Sequence, residues 1–115
     1  MNNKLCDIIK RIRNEKGISL RKLAEIVNVS NVNILYIENG KINTSLTVLK
    51  GLARALNYNL DKLLALADMI NDDIRNIINR RPVVIAEFLR AAKNLTNDEW
   101  SNLTKQIIEL NKGVH

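Results

Sequence analysis

The sequence predicts an all-α protein, a five-helix domain over residues 1–67 followed by a helical tail over 68–115, on three observations. Apolar residues recur at spacings of three and four along most of the chain, the signature of helices with one buried face. No segment alternates apolar and polar residues as a half-buried strand would, and "RPVVIAEF" is the only β-branched cluster. Residues suited to starting a helix (Ser, Thr, Pro) stand ahead of the apolar stripes, and Gly or Asn stands behind several of them.

Leu5, Ile8, Ile9 and Ile12 define a first helix over about 3–16, with Gly17 as its stop. Ser19 caps a short second helix over 20–27, whose stripe is Leu20, Leu23, Ala24 and Val27. The turn Asn28-Val29-Ser30 leads to a third helix over 31–39, capped by Ser30 and ended by Gly40. Ser45 caps a fourth helix that buries Leu46, Leu49, Leu52, Ala53 and Leu56. "NYN" at 57–59 is turn chemistry, and a fifth helix starts near Leu60.

From Leu60 to Ile77 the apolar residues are spaced 3, 4, 3, 4, 3. Either a short coiled-coil seam or two helices meeting near Ala67 to Met69 on one core gives this pattern, and the run is short for a coiled coil. The tail is expected as helices 69–80, 82–94 and 97–111. Pro82 suits the first position of its helix, and Thr96 with Glu99 forms a capping box ahead of the last.

Charge divides the chain as well. Residues 1–66 hold eleven basic and five acidic groups, and residues 67–115 hold seven of each, so the whole net charge of +6 lies in the first part. That distribution points to a polyanion-binding half and a neutral half with another task. A single cysteine, Cys6, cannot form an internal disulfide, and with the lone terminal His115 it falls short of a zinc ligand set. There is no apolar run of membrane-spanning length and no signal-peptide core at the start, so a cytoplasmic protein is expected. No paired nucleophile and base, metal set or phosphate loop is present, which excludes the usual enzyme chemistries and implies no cofactor.

The stretch "NVSNVNILYIENGK" concentrates the functional signal. Helix two, a tight turn and helix three have the dimensions of a helix-turn-helix, with Leu23, Ala24, Val29, Ile34 and Ile37 burying the elbow. At 100° per residue, Ile34 and Ile37 facing inward places Val32, Tyr36 and Asn39 outward, flanked by Asn33 and Leu35, with Asn31 at the exposed N-terminal end. A solvated helix face favours Lys, Glu, Arg and Gln. Asparagine, valine and tyrosine there suit DNA, because an Asn amide pairs bidentately with the adenine edge and Val meets a thymine methyl. Asn and Ile are abundant throughout and Gln106 is the only glutamine, a bias common in AT-rich genomes, so position rather than identity carries this point.

"GISLRKLAEIVNVSNVNILYIENGKINTSLTVLKGLARALNYNLDKLL" resembles the DNA-binding domain of the Xre family, the lambda-repressor-type helix-turn-helix regulators of bacteria and phages. The resemblance covers about residues 4–66 and rests on "LAE", "VS", "IENGK" and "ARALNYNLDKLL" together. It implies a five-helix lambda-repressor-like fold whose third helix enters the major groove, with Asn31, Val32, Asn33 and Tyr36 at base-reading places. Ser19, Asn39, Lys41 and Asn43 fall where such domains hold the DNA backbone. Arg21 is either a further phosphate partner or a solvated cation. The resemblance also implies a partly buried ion pair between Arg13 and Glu38 that fixes the third helix. Two positions depart from the family pattern: Leu20 replaces a Gln that braces a phosphate, and Asn28 replaces a turn Gly.

In the tail, Phe88, Leu89, Trp100, Leu103, Ile107 and Leu110 exceed what one isolated hairpin buries. The tail is expected to pair with a second copy, giving a homodimer, or else to fold onto its own domain. It loosely resembles the dimerisation tails of small Xre repressors, including regulators antagonised by a small helical protein. A dimeric transcriptional repressor reading an inverted-repeat operator in double-stranded DNA is the expected function. An antitoxin that masks a toxin and binds its own promoter is the alternative, and an adaptor without DNA contact is a third possibility.

Overall fold

The computed structural model describes residues 3–41 and 44–114, and the described residues form eight helices and no strand. They are α1 (Asn3–Glu15), α2 (Leu20–Val27), α3 (Asn31–Glu38), α4 (Leu46–Leu56), α5 (Leu60–Leu66), α6 (Asp72–Arg80), α7 (Pro82–Ala92) and α8 (Asn97–Val114). The chain divides into two compact units, Met1–Arg75 and Asn76–His115, and the division falls inside α6.

In the first unit, α1 to α5 enclose a single apolar core. Ile9, Leu23, Ile34, Ile37, Leu49, Leu52, Leu56, Leu63 and Leu64 are its fully buried members. In α1, α2 and α4 the apolar stripe faces this core because most residues between its members are polar, so burying the stripe leaves the charged groups in water. Gly51, inside α4, is where that helix runs close to α2: a Cβ at this position would lie 3.2 Å from Val27 Cγ1.

Local chemistry sets the helix boundaries. The hydroxyls of Ser19, Ser30 and Ser45 accept from the backbone N–H of Lys22, Asn33 and Val48, and Asn59 Oδ1 accepts from Lys62 N–H. Each side chain satisfies a donor that has no partner within its helix. At the other ends, Asn28 (φ 63°) and Asn57 (φ 52°) close α2 and α4 in the left-handed conformation, which Asn tolerates better than other side-chain-bearing residues.

The apolar run from Leu60 to Ile77 is two helices. α5 ends at Leu66, Asp68 turns with φ 55°, and Met69 N–H donates to Leu64 O at 2.8 Å. Its first half packs on the core, but Ile70, Ile74 and Ile77 remain exposed, so the second half does not share that core. α6 starts at Asp72, three residues beyond the expected start, because the tight turn after α5 takes up Met69 and its neighbours.

The second unit holds the hairpin of α7 and α8. Pro82 opens α7, and Thr96 and Glu99 exchange reciprocal bonds at the start of α8, Glu99 N–H to Thr96 Oγ1 and Thr96 N–H to Glu99 Oε1. Phe88 and Trp100 meet edge to face across the hairpin with ring centroids 6.2 Å apart. Among the described residues, no helix is long and apolar enough to cross a membrane.

Candidate nucleic-acid interface

The turn between α2 and α3 spans only Asn28, Val29 and Ser30. Val29 N–H returns to Ala24 O at 3.0 Å, which folds the chain back at the end of α2. Ala24 is buried at this elbow with Leu23, Ile34 and Ile37, and Val29 packs partly on the same core. Five of the eight side chains in "NVNILYIE" are apolar or aromatic, and of these only Ile34 and Ile37 are buried. The remaining three lie outward: Val32 is 53% exposed, Leu35 41% and Tyr36 42%.

Asn31 is exposed in the first turn of α3 and Asn39 is exposed just beyond its end. Asn33 is half-buried, on the shoulder opposite Leu35. Sequence patterning gives Leu35 only as a flanking residue. Its exposure comes from how far α3 is rolled about its axis, which the Arg13–Glu38 pair and the packing of Ile34 and Ile37 determine.

Arg13, at the end of α1, clasps Glu38, at the end of α3. Its Nε lies 2.5 Å from Glu38 Oε2 and its Nη2 3.0 Å from Glu38 Oε1. Arg13 Nη1 donates to Ile18 O at 2.9 Å, just ahead of the Ser19 cap. One guanidinium therefore ties together the ends of α1 and α3 and the entrance to α2.

The polar groups proposed to frame α3 are accessible. Ser19 Oγ accepts from Lys22 N–H at 3.0 Å, and its hydroxyl hydrogen remains a donor for an anion. Arg21 stands 3.6 Å from Glu25 in an exposed pair on α2, an interaction weak enough for a stronger anion to displace. Gly40 turns with φ 68°, and Lys41 N–H then donates to Tyr36 O at 2.9 Å, so Lys41 leaves the end of α3 with its side chain exposed. Asn43 lies outside the described residues. Leu20, where a phosphate-bracing amide is usual, is half-buried against the core. The N-termini of α2 and α3 add backbone donors and partial positive charge.

In the second unit, Phe88, Leu89, Ile107 and Leu110 are exposed, and Trp100 and Leu103 are half-buried. Val83, Val84 and Ile108 are exposed as well. The hairpin thus carries a broader apolar surface than the predicted stripe, because two helices can cover only the sides that face each other.

A two-helix elbow with a capped, outward-facing third helix on a five-helix core is the architecture of a helix-turn-helix DNA-binding module. Residues 9–63 match the model of the helix-turn-helix family HTH_3, and over that segment the chain is a helix-turn-helix of this Xre type, a family of DNA-binding transcriptional regulators. Three solved structures share the fold. An HTH_3 family transcriptional regulator from Vibrio cholerae is 23% identical with a TM-score of 0.50, covering 56% of this chain and 36% of that one. This chain thus spans about a third of that protein's length. The clp gene regulator ClgR from Corynebacterium glutamicum is 23% identical with a TM-score of 0.52, covering 79% of this chain and 92% of that one. A complex of SinR protein with SinI protein contains a chain 18% identical with a TM-score of 0.51, covering 94% of this chain and 98% of that one. No curated protein sequence matches the chain.

Proposed function

We propose that this protein is a sequence-specific transcriptional repressor, acting in the cytoplasm as a homodimer on an inverted-repeat operator with α3 in the major groove. The observation that carries the reading is the outward face of α3: Val32, Leu35 and Tyr36 exposed beside Asn31 and Asn39, within a domain that holds the chain's excess positive charge. Base edges supply both the methyl groups and the amide-pairing patterns that such a face complements. Arg21, Lys41 and the cap hydroxyls would hold phosphates, fixing position without reading sequence.

The exposed apolar surface of α7 and α8 supports association with a second copy. Two linked recognition helices reading half-sites about one DNA turn apart raise the affinity of a domain with few phosphate contacts. The same surface supports a second reading, in which the tail also takes a protein antagonist or a toxin. That reading draws on the fold shared with a chain of the SinR protein–SinI protein complex.

Selection of bound fragments from the source genome tests the proposal. Recovered sites should share an inverted repeat whose half-sites are centred roughly 10 base pairs apart, or a multiple of that distance. Recovery of unrelated fragments would refute sequence-specific binding.

A further inference from the structure

Leu35 has no place among the residues that repay exposure in water. It stands 41% exposed in the middle of α3, next to Val32 at 53%, although neither is needed to keep the helix on the core. Apolar side chains on a helix are normally gathered on the side that is buried, whereas α3 buries only the side bearing Ile34 and Ile37 and carries Val32, Leu35 and Tyr36 outside it. Its outward apolar side therefore lacks a partner within the first unit.

The geometry of that side is simple. Val32 and Leu35 are three residues apart, so their Cβ atoms are neighbours about 5–6 Å apart on the helix surface. Successive bases along one DNA strand rise about 3.4 Å, so this spacing spans one to two base steps. Asn31 and Asn39, both exposed, mark the two ends of the strip, and the exposed cations Arg21, Lys22 and Lys41 belong to the neighbouring segments. An apolar strip with cations around it fits a surface that is apolar in the middle and anionic at its edges. The major groove of DNA has that character where thymines project their 5-methyl groups between two phosphate backbones.

We infer that Val32 and Leu35 together form a thymine-methyl reader, and that Leu35 is a specificity residue of the half-site. The inference rests on the proposed DNA-binding function and narrows it to half-sites with neighbouring thymines. Asn33 is half-buried on the opposite shoulder and carries no apolar group for a methyl.

Deoxyuracil tests this without altering the protein, because it removes the methyl and leaves the hydrogen-bonding edge intact. A random duplex pool is selected on the full-length protein, and the recovered duplex is remade with single thymines replaced by deoxyuracil. Fluorescence anisotropy should show that one or two replacements per half-site weaken binding about fourfold each, the value of burying one methyl-sized group. With Leu35→Ala or Val32→Ala, the corresponding replacement should cost nothing further, and a thermal melt checks that each variant is folded.

Equal affinity for thymine and deoxyuracil at every position, with tight binding retained, would overturn the inference and leave the DNA-binding function standing. The same result is expected if the strip serves a protein partner. A deoxyuracil penalty unchanged in both variants would assign the methyl to another residue and also overturn it. Failure to enrich any sequence would overturn the DNA-binding function together with the inference.

Discussion

Arg13 and Glu38, 25 residues apart in sequence, form a two-pronged ion pair with Nε–Oε2 at 2.5 Å and Nη2–Oε1 at 3.0 Å. The Glu38 side chain is only 2% exposed and that of Arg13 12%. A pair this deep adds little net stability over a well-packed apolar pair, because desolvation offsets the attraction, but breaking it leaves one charge buried alone. Glu38→Ala should therefore destabilise the domain by about 3–5 kcal/mol in urea unfolding. Arg13→Lys, with Glu38 kept, should cost less, since an ammonium retains the charge pairing but cannot form the two parallel bonds and hold Ile18 O as well. Wild-type stability in Glu38→Ala would show that the pair holds nothing in place.

The elbow conformation gives a smaller and independent effect. Asn28 sits at φ 63°, a region that costs a residue with a Cβ roughly 1 kcal/mol or more unless its side chain bonds locally. Asn28→Ala should lower stability by about 1 kcal/mol, and Asn28→Gly should match or exceed wild type. Equal stability of all three in thermal melts would contradict the left-handed turn.

The proposed DNA contacts divide by type. Asn31→Ala should cost about 1–3 kcal/mol on the selected site and relax one base position. Lys41→Ala should weaken every duplex alike and reduce the salt slope by about one. Titrations on the selected and a scrambled duplex separate the two, and an Asn31→Ala loss equal on both would remove its base-reading role.

For the tail, Leu110 is 68% exposed and contributes little to its own hairpin. Leu110→Glu combined with Leu89→Glu should shift the protein toward monomer in sedimentation equilibrium while Trp100 fluorescence stays native. A concentration-independent wild-type monomer would remove the dimer altogether.

Burial pushes the Cys6 thiol above its ordinary value of 9.0. The folded state thus favours the neutral thiol, so its contribution is complete below that value and is lost as pH rises through the folded pKa. Cys6→Ala should accordingly flatten the alkaline decline of unfolding free energy above about pH 9. Parallel declines for the two proteins would show that the thiol is equally acidic in both states.

How legible all this was in the sequence depended on range. The serines at 19, 30 and 45 and the Thr96–Glu99 box act within three residues, so helix starts could be read from local chemistry. Spacing alone does not fix the break after Leu66, because a heptad-like pattern and two helices in succession leave the same trace. The exposure of Ile70, Ile74 and Ile77 was not legible: a stripe shows which side of a helix is apolar, not whether anything covers it. Gly51 gave no signal, since a glycine inside α4 reads only as a weak helix former until Val27 is found beside it. Likewise Asn33 and Leu35 flank Val32 and Tyr36 symmetrically on a helical wheel, and only the roll of α3 on its core separates them.

Sequence reading is proposed to reside on the outward face of α3. Its most direct test is an anisotropy titration of the selected duplex with wild-type protein and with Val32→Ala/Tyr36→Ala, at salt from about 50 to 200 mM. Wild type should bind tightly with a steep salt dependence, and the double variant should keep that dependence while losing preference for the selected sequence over a scrambled one. A double variant that discriminates as well as wild type would place sequence reading somewhere other than this helix.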